Sequence, residues 1–159
     1  MATEGKNFSS YDPDKIPDAT DLRCGIVVSE WNSEITGALL QGALQTFKVN
    51  GIADQNIFVR WVPGSFELAF GAQWLIDKYG LDAVVCLGSV IQGETRHFEF
   101  VCNATAKGVM DVSLKTGIPV IFGVLTDDNI EQARARSGGK HGNKGIECAI
   151  AAIKMARLQ

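Results

Sequence analysis

Four times along this chain a short apolar run gives way to a segment whose apolar residues recur at helical spacing, and that alternation leaves few folds open. Cys24-Gly-Ile-Val-Val-Ser29 is a β-branched run that reads as a buried strand. Glu30 to Ser33 forms a loop with capping residues, and then Ile35, Leu39, Ala43 and Phe47 share one helical face. Asn50-Gly51 ends that helix with residues that tolerate positive φ. Ile57 to Val62 is a second strand, broken by Pro63-Gly64-Ser65, and Glu67 to Tyr79 is a second helix closed by Gly80. Asp82 to Leu87 is a third strand that ends in Gly-Ser. A polar turn containing Gly93 leads to a third helix from near His97 to about Thr116, with Val101, Thr105, Val109 and Val112 on one face. Val120 to Leu125 is a fourth strand. Thr126, Asp127 and Asp128 are N-cap candidates for a short helix, Ile130 to Arg136. Ser137 to Gly142 is a glycine-rich joint, and the last helix, Asn143 to Leu158, carries Ile146, Ile150 and Ile153 on its core face. Such alternation predicts a three-layer α/β domain: one four-stranded parallel sheet with helices on both faces.

The 159 residues, 46% hydrophobic and 21% charged, suit one domain with a good core. We expect that domain over residues 22–159, preceded by a polar, flexible arm at 1–21 that contains Pro13 and Pro17. A formal net charge of −3 gives no argument for a nucleic-acid partner. The sequence shows no apolar run of membrane-spanning length and no charged-then-apolar leader, so a membrane partner is not expected and a cytoplasmic location is. Cys24, Cys86, Cys102 and Cys148 lack C-x-x-C spacing and sit in apolar segments, which reads as reduced, buried thiols. With His97 and His141 as the only histidines, a metal site is a poor reading. The helices are rich in Ala and Gly on several faces, which suits close helix packing and equally suits packing against another subunit.

The unusual polar and aromatic residues all fall at or after the strands: Trp31 and Asn32; Gly64, Ser65, Phe66 and Glu67; Ser89 to His97; Phe122 and Thr126 to Asp128. In a parallel sheet those points share one edge, where ligands bind. Trp31 and Phe66 suit stacking on a flat heterocycle, and the backbone at Ser65, Val90 and Ile91 suits reading its polar edges. His97, beside Gly, Thr and Arg, combines proton transfer with anion binding. Each residue also has a plainer reading. Trp31 and Phe66 can be packing aromatics, Glu67 a helix-start carboxylate, His97 a structural histidine, Gly93-Glu94-Thr95 an ordinary turn with an N-cap, and Arg134 and Arg136 a solvated helix face.

Four segments together carry a resemblance: Pro63-Gly-Ser-Phe-Glu67, Leu87-Gly-Ser-Val-Ile-Gln-Gly-Glu-Thr-Arg-His97, Asn129-Ile-Glu-Gln-Ala133 and Gly142-Asn-Lys-Gly145. In order and spacing they resemble the lumazine synthase (6,7-dimethyl-8-ribityllumazine synthase) family, over about residues 22 to 157. The resemblance implies a flavodoxin-like sheet and a transferase of the penultimate step of riboflavin synthesis. Its substrates would be 5-amino-6-(D-ribitylamino)uracil and 3,4-dihydroxy-2-butanone 4-phosphate; phosphate and water would leave, with no metal or organic cofactor. Carried onto this sequence, Trp31 would stack over the pyrimidine, and Ser65, Phe66, Glu67, Ser89, Val90 and Ile91 would hold the ribityl chain and ring edge. Phe122 would line the site from a neighbouring subunit. Glu94, Thr95 and Arg136 would meet the phosphate, His97 would move protons, and Lys144 is a weaker candidate for a pyrimidine contact. The family pattern is departed from at Trp31, Gln92, Glu94 and Arg96; the Glu94 side chain is expected to point outward, with Arg96 offsetting its charge. The resemblance further implies self-association into pentamers, in some members closed into an icosahedral shell of sixty chains, with the N-terminal arm adding to a neighbour's sheet. The compact Gly138 to Gly145 joint favours the shell. A non-catalytic flavin- or pterin-binding module, or a purely structural shell protein, are the competing readings.

Overall fold

The computed structural model describes residues 9–158. Strand β1 (Cys24–Ser29) is buried along its whole length, as a strand covered on both faces should be, and it lies between β2 (Ile57–Val62) and β3 (Ala83–Ile91). β4 (Val120–Asp127) completes a parallel sheet of order β2-β1-β3-β4, the order of the flavodoxin-like doubly wound fold. Helices α1 (Ser33–Val49) and α5 (Lys144–Ala156) cover one face, and α2 (Leu68–Tyr79) and α3 (His97–Thr116) the other. The period-two alternation of β1 divides the core accordingly: Ile26 and Val28 meet Ile35, Leu39, Phe47 and Ile153, while Val27 meets Leu68, Leu75 and Val109.

The expected helices and strands form, with differences at their ends. β3 runs to Ile91, not Leu87, so Ser89, Val90 and Ile91 are strand residues paired with Leu125, Thr126 and Asp127. β4 is longer for the same reason, and Thr126, Asp127 and Asp128 do not cap α4 (Ile130–Arg136). Asn129 does, its Oδ1 accepting from the Gln132 N–H at 3.0 Å. The second helix opens with a 3-10 turn over Ser65–Glu67. The glycine-rich joint is a two-stranded hairpin, β5 (Ser137–Gly139) with β6 (Gly142–Asn143). Ile150 and Ile153 are buried as expected, whereas Ile146 is half-buried.

The first eight residues of the expected arm lie outside the described residues. Its remainder is tied to the domain. Asp12 caps a 3-10 turn (Pro13–Lys15), Ala19 is buried, the Arg157 Nε donates to the Asp18 carbonyl at 2.8 Å, and Arg157 pairs with Asp21. The cysteines are free thiols; burial pushes Cys24 up to about 12 and Cys148 to about 11, raises Cys86 strongly, and Cys102 is half-buried. No described helix is long and apolar enough to cross a membrane.

Close approach of α5 to α1 depends on glycine. A Cβ on Gly145 would stand 1.9 Å from the Leu39 carbonyl oxygen, a backbone atom that has nowhere to go. Gly145→Ala should therefore cost about 3 kcal/mol or more by overpacking. Gly37→Ala, with nothing within 4 Å of the added methyl, should gain up to about 1 kcal/mol from helix propensity. Denaturant midpoints of the two variants check this; a Gly145→Ala chain as stable as the parent would show that the α1–α5 contact yields.

Candidate active site

The carboxyl ends of the strands converge on a cleft of 690 Å³. The β1–α1 turn supplies Trp31, the turn after β2 supplies Gly64 to Glu67, and the end of β3 supplies Ser89, Val90 and Ile91. Gly93, Thr95, His97, Phe98 and Val101 close the remaining wall. Trp31 and Phe66 are 71% and 62% exposed, which excludes their being packing aromatics of this chain. Trp31 is held in place by backbone: its N–H donates to the Pro63 carbonyl at 3.2 Å, and the preceding Glu30 N–H to Val62 at 2.8 Å. Asn32, the one non-glycine residue at positive φ among those described, turns the chain into α1, and its Nδ2 donates to the Ser89 carbonyl at 3.0 Å. That bond ties the end of β1 to the end of β3.

Two hydroxyls in this cleft stand out. Ser65 and Ser89 are buried, and no donor or acceptor among the described residues meets either Oγ. Buried hydroxyls are nearly always bonded, so this pair suits a polyhydroxylated or heterocyclic ligand that would complete them. Thr105 fixes the Ser65 peptide from below: its hydroxyl lies 3.1 Å from the Ser65 carbonyl and 2.7 Å from that of Val101. The sequence places Thr105 merely on a core face, because a buried threonine in a helix carries no signal of what its hydroxyl holds. Glu67 does act at a helix start, its Oε2 accepting from the Gly64 N–H at 2.9 Å, and it also lines the cleft. His97 is exposed at the first turn of α3, and its N–H donates to the Thr95 hydroxyl at 3.4 Å.

The remaining expected residues stand elsewhere. Glu94 is exposed, and Arg96 pairs with Glu99 at 3.2 Å, not with Glu94 as the sequence suggests. Phe122 packs against the core under α2 and α3 and does not reach the cleft of its own chain. Arg136 lines a second hollow, of 460 Å³, together with Thr126, Asp127, Glu131, Gln132, Lys140, His141 and Lys144. It is no solvated face: its side chain is 16% exposed, Nη1 donates to the His141 carbonyl at 2.9 Å, and Nη2 pairs with Glu147 at 3.1 Å. Lys144 binds the same carboxylate at 3.0 Å. Arg134 is the solvated one, half-exposed and paired with Glu34 of α1. One chain therefore carries two separate hollows on the same sheet edge: an aromatic, hydroxyl-lined cleft with an imidazole, and a cationic hollow.

Comparison with known proteins decides the family. The 6,7-dimethyl-8-ribityllumazine synthase model matches residues 21–159. The chain belongs to the 6,7-dimethyl-8-ribityllumazine synthase family. A protein of that name from Christiangramia forsetii is 61% identical over all of this chain and 95% of its own length. Those from Cytophaga hutchinsonii and Flavobacterium johnsoniae are 57% and 54% identical, covering 98% and 100% of this chain and 97% and 84% of theirs. The match spans the segments that carry the motifs, so the lumazine synthase resemblance read from the sequence holds for the whole domain.

The unpaired hydroxyls give a check that needs no substrate. Removing a buried hydroxyl that has no partner relieves its desolvation cost, so Ser65→Ala and Ser89→Ala should leave the unliganded chain as stable as before or raise its stability by about 1 kcal/mol. Thermal unfolding measures this. A loss above about 1 kcal/mol in either variant would mean that its hydroxyl is already bonded.

Proposed function

We propose that this enzyme condenses 5-amino-6-(D-ribitylamino)uracil with 3,4-dihydroxy-2-butanone 4-phosphate to 6,7-dimethyl-8-ribityllumazine, releasing phosphate and water. The observation that carries this reading is the composition of one cleft, in which the open faces of Trp31 and Phe66, the unpaired Ser65 and Ser89 hydroxyls and the His97 imidazole are brought together. Trp31 stacks on the pyrimidine. Ser65, Ser89 and the backbone of Val90 and Ile91 bind its polar edge and the ribityl hydroxyls, while Phe66 and Glu67 close the wall.

The uracil amine attacks the ketone to form an imine, so a proton must leave nitrogen and another must reach the departing oxygen. An imidazole is suited to both transfers near neutral pH, and His97 stands at the mouth of the cleft where the two reactants meet. Phosphate elimination needs a fixed positive clamp. Thr95 and the Gly93–Glu94 backbone supply hydrogen-bond donors, and Arg136 supplies a permanent planar charge. No metal or organic cofactor is called on, and much of the rate comes from holding two reactants side by side.

In a single chain Arg136 and Phe122 do not line the cleft that holds His97. We therefore place the complete site between adjacent copies, the aromatic cleft of one chain facing the cationic hollow of the next. The small-molecule enzyme then works as a cyclic homo-oligomer, a pentamer, and the tight Ser137–Asn143 hairpin favours closure of pentamers into an icosahedral shell. β2 is one of the two edge strands of the sheet, with its outer ladder unfilled by the described residues; a neighbour's N-terminal arm fits there. A cytoplasmic location agrees with the free cysteines.

His97→Ala should lower kcat by the 10²–10⁴-fold typical of acid–base groups (about 10³). Arg136→Ala should raise KM for the phosphate substrate. If each site draws on two chains, unfolding these two impaired variants together and refolding them should restore, at substrate well below the raised KM, about a quarter of full activity, from sites that receive both intact halves. Absorbance of the lumazine product reads the result. A mixture no more active than its components would place His97 and Arg136 in one chain's site.

A further inference from the structure

The cationic hollow holds a carboxylate that the reaction as described does not use. Asp127 ends β4, level with Ile91 of β3, and its carbonyl accepts from the Gln92 N–H at 2.9 Å. Alternation along β4 puts its side chain on the face of Ile121 and Leu125, toward α4 and α5. There its Oδ2 is buried, and no donor among the described residues reaches it. Its neighbours are engaged otherwise: Asp128 accepts from the Gln132 amide at 3.3 Å, and Glu147 takes both Arg136 and Lys144. The charged and titratable groups facing Asp127 are Glu131 and Arg136 from α4, Lys140 and His141 from the hairpin, Lys144 from α5 and Asp128 beside it. A guanidinium has five N–H donors, and the bonds of Arg136 to His141 and Glu147 leave donors over.

We propose that Asp127 is a positioning residue for Arg136: its unpaired carboxylate oxygen competes with the substrate's phosphate for the guanidinium, limiting how tightly the anion is held and helping free phosphate to leave. This rests on the reading that Arg136 binds phosphate. With Glu147 already shared by Arg136 and Lys144, a carboxylate beside the free guanidinium donors still decides how firmly the hollow retains the product anion. A nearby carboxylate weakens that hold, and most strongly when it is ionised. Burial lifts the Asp127 carboxyl above its usual range, opposed by Arg136 and assisted by Asp128. Its charge is therefore lost at a higher pH than that of an ordinary carboxylate, and anion binding should tighten as Asp127 takes up its proton.

Inorganic sulfate, a dianion that does not titrate between pH 5 and 8, is the probe. In the full chain, Asp127→Asn should tighten inhibition by sulfate about three- to tenfold at pH 8 and lower KM for the phosphate substrate while kcat does not rise. The difference from the parent should shrink as the pH is lowered and Asp127 takes up its proton. Asp127→Thr, smaller and also uncharged, should act alike and serves if the amide variant does not fold. Arg136→Ala is run in parallel. If it loses sulfate inhibition while both Asp127 variants match the parent at every pH, the competition is refuted and the phosphate role of Arg136 stands. If Arg136→Ala leaves sulfate inhibition intact, the phosphate role falls and this inference with it.

Discussion

The rim of the sheet takes its geometry from one parallel register, in which Val28 of β1 stands level with Trp61 of β2 and Leu87 of β3. With both faces of β1 buried, that register cannot slip by a residue without turning Val27 and Val28 to the wrong cores. Everything chemical follows from where the strands then stop. β1 and β2 stop early, at Ser29 and Val62, and turn Trp31 and Phe66 outward. β3 and β4 run on together to Ile91 and Asp127. The step between the two pairs is the cleft. Asn32, bonding back to Ser89, braces the short pair against the long one.

The same step explains what was legible in the sequence. The strands were visible because their apolar runs need no partner to be recognised, and the helices because Ile35, Leu39, Ala43 and Phe47 repeat at helical spacing. The ends of β3 and β4 were not. Gly88-Ser89 reads as a strand breaker, but Gly88 serves close approach: a Cβ there would lie 2.6 Å from the Ser65 Oγ. Thr126 and Asp127 read as caps by composition, yet in the sheet they pair with Val90 and Ile91. Hydrogen-bonding partners 36 residues away decide between these fates, and local pattern carries no trace of them.

Site residues divide along a similar line. Trp31, Ser65, Phe66, Glu67, Ser89, Val90, Ile91, Thr95 and His97 share one cleft because each lies at or just after the carboxyl end of a strand, a placement that alternation alone predicts. Arg134 and Arg136 could not be told apart, since a seven-residue helix has too few turns to reveal its inner face. Burial separates them: Arg136 lies against Glu147 and the His141 carbonyl, Arg134 lies against Glu34 in solvent.

A buried Arg–Glu pair is weak evidence of stability, because desolvating two charges offsets most of their attraction. Placing Arg136, Glu147 and Lys144 together at the edge of a core makes better sense as orientation, and on the proposed reading it holds a guanidinium rigid for the substrate's phosphate. The aromatic half is alike. Trp31 and Phe66 expose faces that stabilise nothing in the lone chain, and beside them lie two buried hydroxyls that no described residue bonds. Each half-site is thus left incomplete in a way that the other half, or a bound heterocycle and phosphate, would complete. On the proposed reading, assembly and substrate binding draw on the same unsatisfied surface, so the enzyme's oligomer is a condition of its chemistry and not an addition to it.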